Sequence, residues 1–149
     1  MNKPLPTCSG SSLGLLLRQV RDATRAALEA ELARDGHNIT LSQYITLKKL
    51  AEGEASPGEL ARAAELNPGA MTRLLDKLEA RGLLVRVADP SDRRALHIHL
   101  TEIGVAMWRD IDQCGQRVRE RALQGMDDAT RTQLTRLLEQ VRDNLVAED

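Results

Sequence analysis

Arg93 and Arg94 stand side by side in the polar run Asp89-Pro90-Ser91-Asp92-Arg93-Arg94, between two alternating apolar segments. Two guanidinium groups at a loop tip present delocalised charge and forked donors. That chemistry engages phosphates and the negative potential of a narrow minor groove. Asp92 is placed to hold one guanidinium in a fixed fork. Arg73 and Lys77, with Thr72, share the polar face of a segment whose other face is apolar. An arginine there reaches a guanine edge with two hydrogen bonds, or a phosphate with one.

The remaining reactive groups are less organised. His97 and His99 project from the same face of one strand, a spacing that can chelate a metal. No Cys and no carboxylate cluster adjoins them in sequence, so no metal and no cofactor are expected. The two cysteines, Cys8 and Cys114, are no disulfide framework. Cys114 falls on an apolar stripe and reads as a small core residue. Cys8 precedes the first helix, without the cationic or helix-terminal setting that activates a thiolate. A redox-sensing regulator working through Cys8 is retained as an alternative. No Gly-rich phosphate loop, nucleophile elbow or paired metal-ligand motif is present, and the chain is read as a non-enzyme.

The elements that must carry these groups have legible starts and stops. Thr40-Leu41-Ser42-Gln43 is a capping box, and Gly53 ends the helix it opens. Ser56-Pro57-Gly58-Glu59 opens a short helix with Leu60, Ala61 and Ala64 inward. Asn67 and Pro68 open the next. There Met71, Leu74, Leu75 and Leu78 make one apolar face and Gly82 closes it. Gly69 and Ala70 keep the start of its polar face small, so the backbone can approach a surface. Leu83, Val85 and Val87 then alternate with Leu84, Arg86 and Ala88, and Leu96, Ile98 and Leu100 with His97 and His99. Both runs are half-buried strands. Two short helices with a sharp turn make a helix-turn-helix, and the hairpin adds a wing.

Residues 60–104 resemble the MarR family of bacterial transcription regulators. The matching residues are Leu60-Ala61, Thr72-Arg73-Leu74, Leu78-Glu79-Ala80-Arg81-Gly82-Leu83, Asp89-Pro90 with Asp92-Arg93-Arg94, and Leu100-Thr101-Glu102 with Gly104. The flanking helices fit the same family. The resemblance implies a homodimer that binds double-stranded DNA. It makes Arg94, held by Asp92, the minor-groove residue of the wing. The expected DNA-contacting set is Ser56, Pro57, Pro68, Gly69, Ala70, Thr72, Arg73, Lys77, Asp92, Arg93 and Arg94. It also implies a ligand pocket between the dimer helices and the winged head. His37, Tyr44 and Trp108 are the candidates to line it for a small aromatic or phenolic effector.

The fold class expected is mainly α (α+β), a winged helix-turn-helix with a two-stranded wing, flanked by N- and C-terminal dimerisation helices. The divisions are a tail over 1–12, a dimerisation helix over 13–36, the DNA-binding region over 37–101 and C-terminal dimerisation helices over 102–149. Leu13, Leu16, Leu17 and Val20 form an apolar stripe on the first helix. Leu134, Leu138, Val141 and Leu145 form another on the last, and both are read as dimer interface.

Composition is consistent with this reading. The chain has 149 residues, one Trp, one Tyr and no Phe, so its core must be aliphatic. Net charge is −1, which excludes a uniformly basic nucleic-acid binder. Residues 102–149 hold seven Lys/Arg against ten Asp/Glu, so the acidity lies outside the reading head. No apolar run approaches the ~20 residues that span a bilayer, and no signal peptide is read before Cys8. A cytoplasmic location is expected. The function expected is a sequence-specific regulator: a ligand-responsive homodimeric repressor on an inverted-repeat operator. A helical protein-interaction module that does not bind DNA is the other alternative.

Overall fold

The structure, a computed structural model, describes residues 11–147. Six helices and one hairpin follow in the order α1 (Ser11–Arg34), α2 (Leu41–Ala51), α3 (Pro57–Ala64), α4 (Pro68–Ala80), β1 (Leu84–Ala88), β2 (Leu96–Leu100), α5 (Glu102–Ala122) and α6 (Asp128–Val146). This is the mainly helical, winged arrangement that the sequence implies. No helix among the described residues is long and apolar enough to cross a membrane.

Local chemistry sets the helix ends. The Thr40 hydroxyl accepts from the Gln43 N–H while the Gln43 side chain accepts from the Thr40 N–H, a complete capping box. Ser56 caps α3 and Asn67 caps α4, each followed by proline. Between these two helices Glu65 takes a left-handed conformation, φ 56°, which makes the turn sharp. At the end of α4, Gly82 (φ 75°) lets Leu83 N–H reach the Leu78 carbonyl, and the chain leaves at once into β1.

The described residues fall into two compact units that divide between Val118 and Arg119. The first has an aliphatic core in which Leu47, Leu60, Leu78 and Ile98 are wholly buried. β1 and β2 pair antiparallel, with Leu84 opposite Leu100 and Arg86 opposite Ile98. The inward face of the hairpin therefore carries Leu84, Arg86, Ile98 and Leu100, while Val85 and Val87 are exposed, paired with His99 and His97. Ala55 adds a single bridge to Ile98 on the other edge of β2, which fastens the wing to the start of α3. On α1, Leu28 and Leu32 are buried but Leu13, Leu16 and Val20 remain exposed.

In the second unit α6 is capped by Asp127 and buries no residue, with Leu137, Leu138 and Leu145 exposed and Leu134 and Val141 half-buried. Arg131 ties its first turns to Glu120 and to the carbonyls of Leu123 and Met126.

The start of α5 leaves no room for a side chain at Gly104. A Cβ there falls 1.9 Å from the Leu83 carbonyl oxygen, a backbone atom that cannot move aside alone. Gly104→Ala should therefore cost about 3 kcal/mol of stability, the upper range for overpacking. Chemical denaturation of the two proteins checks this, and an unchanged midpoint would contradict the contact.

Candidate nucleic-acid interface

The reading face is built on α4. Its apolar stripe, Met71, Leu74, Leu75 and Leu78, is buried, which turns Gly69, Thr72, Arg73, Asp76 and Lys77 to solvent. Pro68 is exposed and Ala70 half-buried. Gly69 leaves space at the first turn, and one Arg73 guanidinium nitrogen lies 3.8 Å from where its Cβ would be. A shallow cavity of about 230 Å³ opens beside this face, lined by Thr40, Gln43, Ala70, Arg73, Leu74 and Lys77. It gives the side chains of Arg73 and Lys77 a concave edge to project from. Ser56 and Pro57 are half-buried at the start of α3, where the Ser56 hydroxyl is engaged with Glu59.

The wing tip is a stack of short-range turns. The Asp89 carboxylate accepts from both the N–H and the hydroxyl of Ser91. Asp92 accepts from the backbone N–H of Arg94 at 3.0 Å, and its carbonyl accepts from Ala95 N–H. This corrects the expectation that Asp92 holds a guanidinium. It shapes the backbone that carries Arg94, as Asx turns do, and the guanidinium groups of Arg93 and Arg94 stay exposed. Among the described residues neither arginine takes part in an ion pair.

Arg86, to which the sequence pattern gives only a place in a strand, joins the wing to α4. Its guanidinium bonds Asp76 at 2.6 Å and Glu79 at 3.0 Å, both on α4. These carboxylates raise its pKa further above the ordinary guanidinium value and lower that of Glu79. The only sequence signal is a charge on the strand face shared with Ile98, visible once the register is known.

His97 and His99 each face a carboxylate. His97 Nε2 lies 2.9 Å from the Asp89 carboxylate, and His99 Nε2 lies 3.3 Å from Glu54. The Asp89 bond, with Glu54 and Glu59 nearby, raises the His97 pKa, while His97 and Ser91 hold Asp89 well below the usual carboxylate range.

Tyr44 and Trp108 pack with ring centroids 5.2 Å apart, joining α2 to α5. Gly115 lies over Tyr44, where a Cβ would come 2.2 Å from the phenol oxygen. His37 is grouped with Asp35 and Cys114. Cys8 lies outside the described residues; Cys114 is a buried free thiol, as its apolar stripe implies.

The comparisons with known proteins agree with this geometry. A sequence model described as the MarR family matches residues 37–95. The HTH-type transcriptional repressor Rv2887 of Mycobacterium tuberculosis is 32% identical over 130 residues, covering 87% of this chain and 92% of that one. The HTH-type transcriptional repressor NicR of Pseudomonas putida is 26% identical over 133 residues, covering 89% and 83%. Among solved structures, a MarR mutant from E. coli complexed with operator DNA superposes with a TM-score of 0.71 at 27% identity, covering 87% of this chain and 93% of its own.

The raised His97 pKa gives the wing a pH signature. A raised histidine pKa contributes stability that is complete below the ordinary imidazole value and is lost as pH climbs through the raised one. His97→Gln should therefore lose most stability relative to the parent near about pH 6 and match it at about pH 9. Melting curves across that range check it. A deficit that stays constant with pH would place the role of His97 in packing alone.

Proposed function

Since the chain belongs to the MarR family and is a DNA-binding transcription regulator of the winged helix-turn-helix class, we propose that it works as a homodimeric, effector-responsive repressor on an inverted-repeat operator. The observation that carries this is one rigid head with two cationic probes. Arg73 and Lys77 stand on the exposed face of α4, Arg93 and Arg94 stand on the wing tip, and Arg86 ties the wing to α4 through Asp76 and Glu79.

α4 enters the major groove and the wing tip lies along the adjacent minor groove. Pro68, Gly69, Ala70 and Thr72 allow close approach of the first turn of α4. Ser56 and Pro57 put the start of α3 against the backbone, where a helix N-terminus favours phosphate. Asp92 acts indirectly, as the residue that sets the Arg94 backbone. The two-fold symmetry of the dimer dictates half-sites about one helical turn apart.

Dimerisation is supported by the exposed leucines of α1 and α6, Leu138 among them, which are costly to leave in water. An obligate dimer of this kind buries about 2,000 Å² or more. The Tyr44–Trp108 pair supports a small aromatic or phenolic effector, whose binding weakens the operator complex by favouring another conformation of the dimer. A cytoplasmic location and the absence of catalysis follow from the same reading.

Operator binding by two variants tests the assignment. Arg73→Ala should lose about 1–3 kcal/mol on the cognate site and relax discrimination at one or two positions per half-site. Arg94→Ala should weaken binding across A·T-rich sequences and lower the salt slope by about one unit. If Arg94→Ala binds like the parent at every salt concentration, the wing is no DNA probe and a protein-interaction role takes its place. Light scattering of the free parent protein should give two chains; a stable monomer at micromolar concentration would remove the inverted-repeat geometry.

A further inference from the structure

The C-terminal cap of α1 places two donor groups with little freedom. Gly36, at φ 73°, closes the helix in the left-handed conformation. His37 N–H reaches back to the Leu32 carbonyl at 3.0 Å, and Gly36 N–H to Ala33 at 3.1 Å. This double closure is a Schellman motif, and it fixes the backbone of Asp35 and His37 on either side of the glycine. Cys114, wholly buried on α5, brings its sulfur to the same place from a segment 79 residues away in sequence from Asp35. One ligand atom from each of Asp35, His37 and Cys114 lies within 4.8 Å of the others.

We propose that Asp35, His37 and Cys114 form a binding site for one thiophilic divalent cation of the zinc class. Thiolate, imidazole and carboxylate are the three donor types zinc takes, and three protein ligands with one open position is a recurrent tetrahedral arrangement. Bonds of ~2.0–2.3 Å set donors about 3.5 Å apart around a tetrahedral ion. The present spacing closes to that by side-chain rotation, since Asp35 is exposed and His37 half-exposed. The same exposure gives the ion its entry path, while buried Cys114 forms the floor.

The charges are arranged for exchange. Without the ion, burial and Asp35 keep the Cys114 thiol protonated, by pushing its pKa up. Arg117 fills the electrostatic role of the cation, with one nitrogen shared between Asp35 and Cys114 and its Nε on Glu31 at 2.8 Å. A divalent ion would be bound by the thiolate and the Asp35 carboxylate, two negative charges that balance it. One proton leaves the thiol for solvent, Arg117 releases Asp35 and keeps Glu31, and no electrons move. Arg117 is thus a competitor of the metal, which gives the proposal an unusual sign.

Cobalt(II) titration of the full-length protein reads the site directly, because a cobalt–thiolate bond gives charge-transfer absorption and a tetrahedral ion gives intense visible bands. The expected result is one equivalent per chain, displaced by zinc and weakened on acidification because thiol and imidazole must lose protons. Cys8→Ser should leave the spectrum intact and Cys114→Ser should abolish it. His37→Gln, at a half-exposed position that spares the core, should weaken cobalt by tenfold or more with an unchanged melting temperature. Arg117→Gln should tighten cobalt binding, where mere loss of structure would loosen it. Absence of the charge-transfer band, its survival in Cys114→Ser, or its loss in Cys8→Ser would each overturn the proposal.

Discussion

Thr101 holds the reading head together at one point. Its hydroxyl donates to the carbonyl of Gly82 and accepts the N–H of Gly104 at 3.0 Å, while its own N–H bonds Leu83 at 3.1 Å. One residue thereby ends β2, caps α5 and pairs the carbonyls of Gly82 and Leu83, where the chain passes from α4 into β1. Carbonyls of this kind are costly to bury unpaired. The arrangement works only because Gly104 has no side chain to strike Leu83. α4, the wing and α5 cannot then tilt independently.

The wing is secured by a second principle, placing charge where register forces it. Arg86 faces inward opposite Ile98 because its neighbours Val85 and Val87 take the outer face. A half-buried guanidinium must find carboxylates, and Asp76 and Glu79 on α4 supply them. On the other edge, Ala55 exchanges backbone bonds with Ile98. The hairpin is therefore held on its inner face by ions and at one edge by the backbone. A bare two-stranded hairpin is marginal in water; this one is a strut.

Local signals were legible in the sequence because their physics is local. The Thr40 box, the Ser56 and Asn67 caps with their prolines, and the Gly82 stop each involve residues three or four apart, and all appear in the structure. The stripe of α4 fixed which residues face outward. What escaped depends on residues brought together by the fold. Asp92 was read as a salt-bridge partner from adjacency alone, yet a short side chain beside a turn more readily bonds its own backbone. The histidines share one strand face, as alternation implies, but the carboxylates each of them meets, Asp89 and Glu54, are brought near only by the fold. Asp35, His37 and Cys114 gave no sequence signal, since nothing in the local pattern announces that α5 crosses the end of α1 there.

A net charge of −1 says nothing of how charge is distributed over this surface, where many charged groups are already engaged with one another. Arg21 and Arg25 lie against Glu65, Arg86 against Asp76 and Glu79, Arg117 against Glu31 and Asp35, and Arg131 against Glu120. Cations so engaged add less to the field felt by a phosphate than unpaired ones. Arg73, Lys77, Arg93 and Arg94 are in no such pair among the described residues, and all four are exposed. The charge available for counterion release is therefore local and positive even though the chain is acidic overall. The field such a surface offers a phosphate depends on which arginines the fold leaves unpaired more than on how many the chain contains.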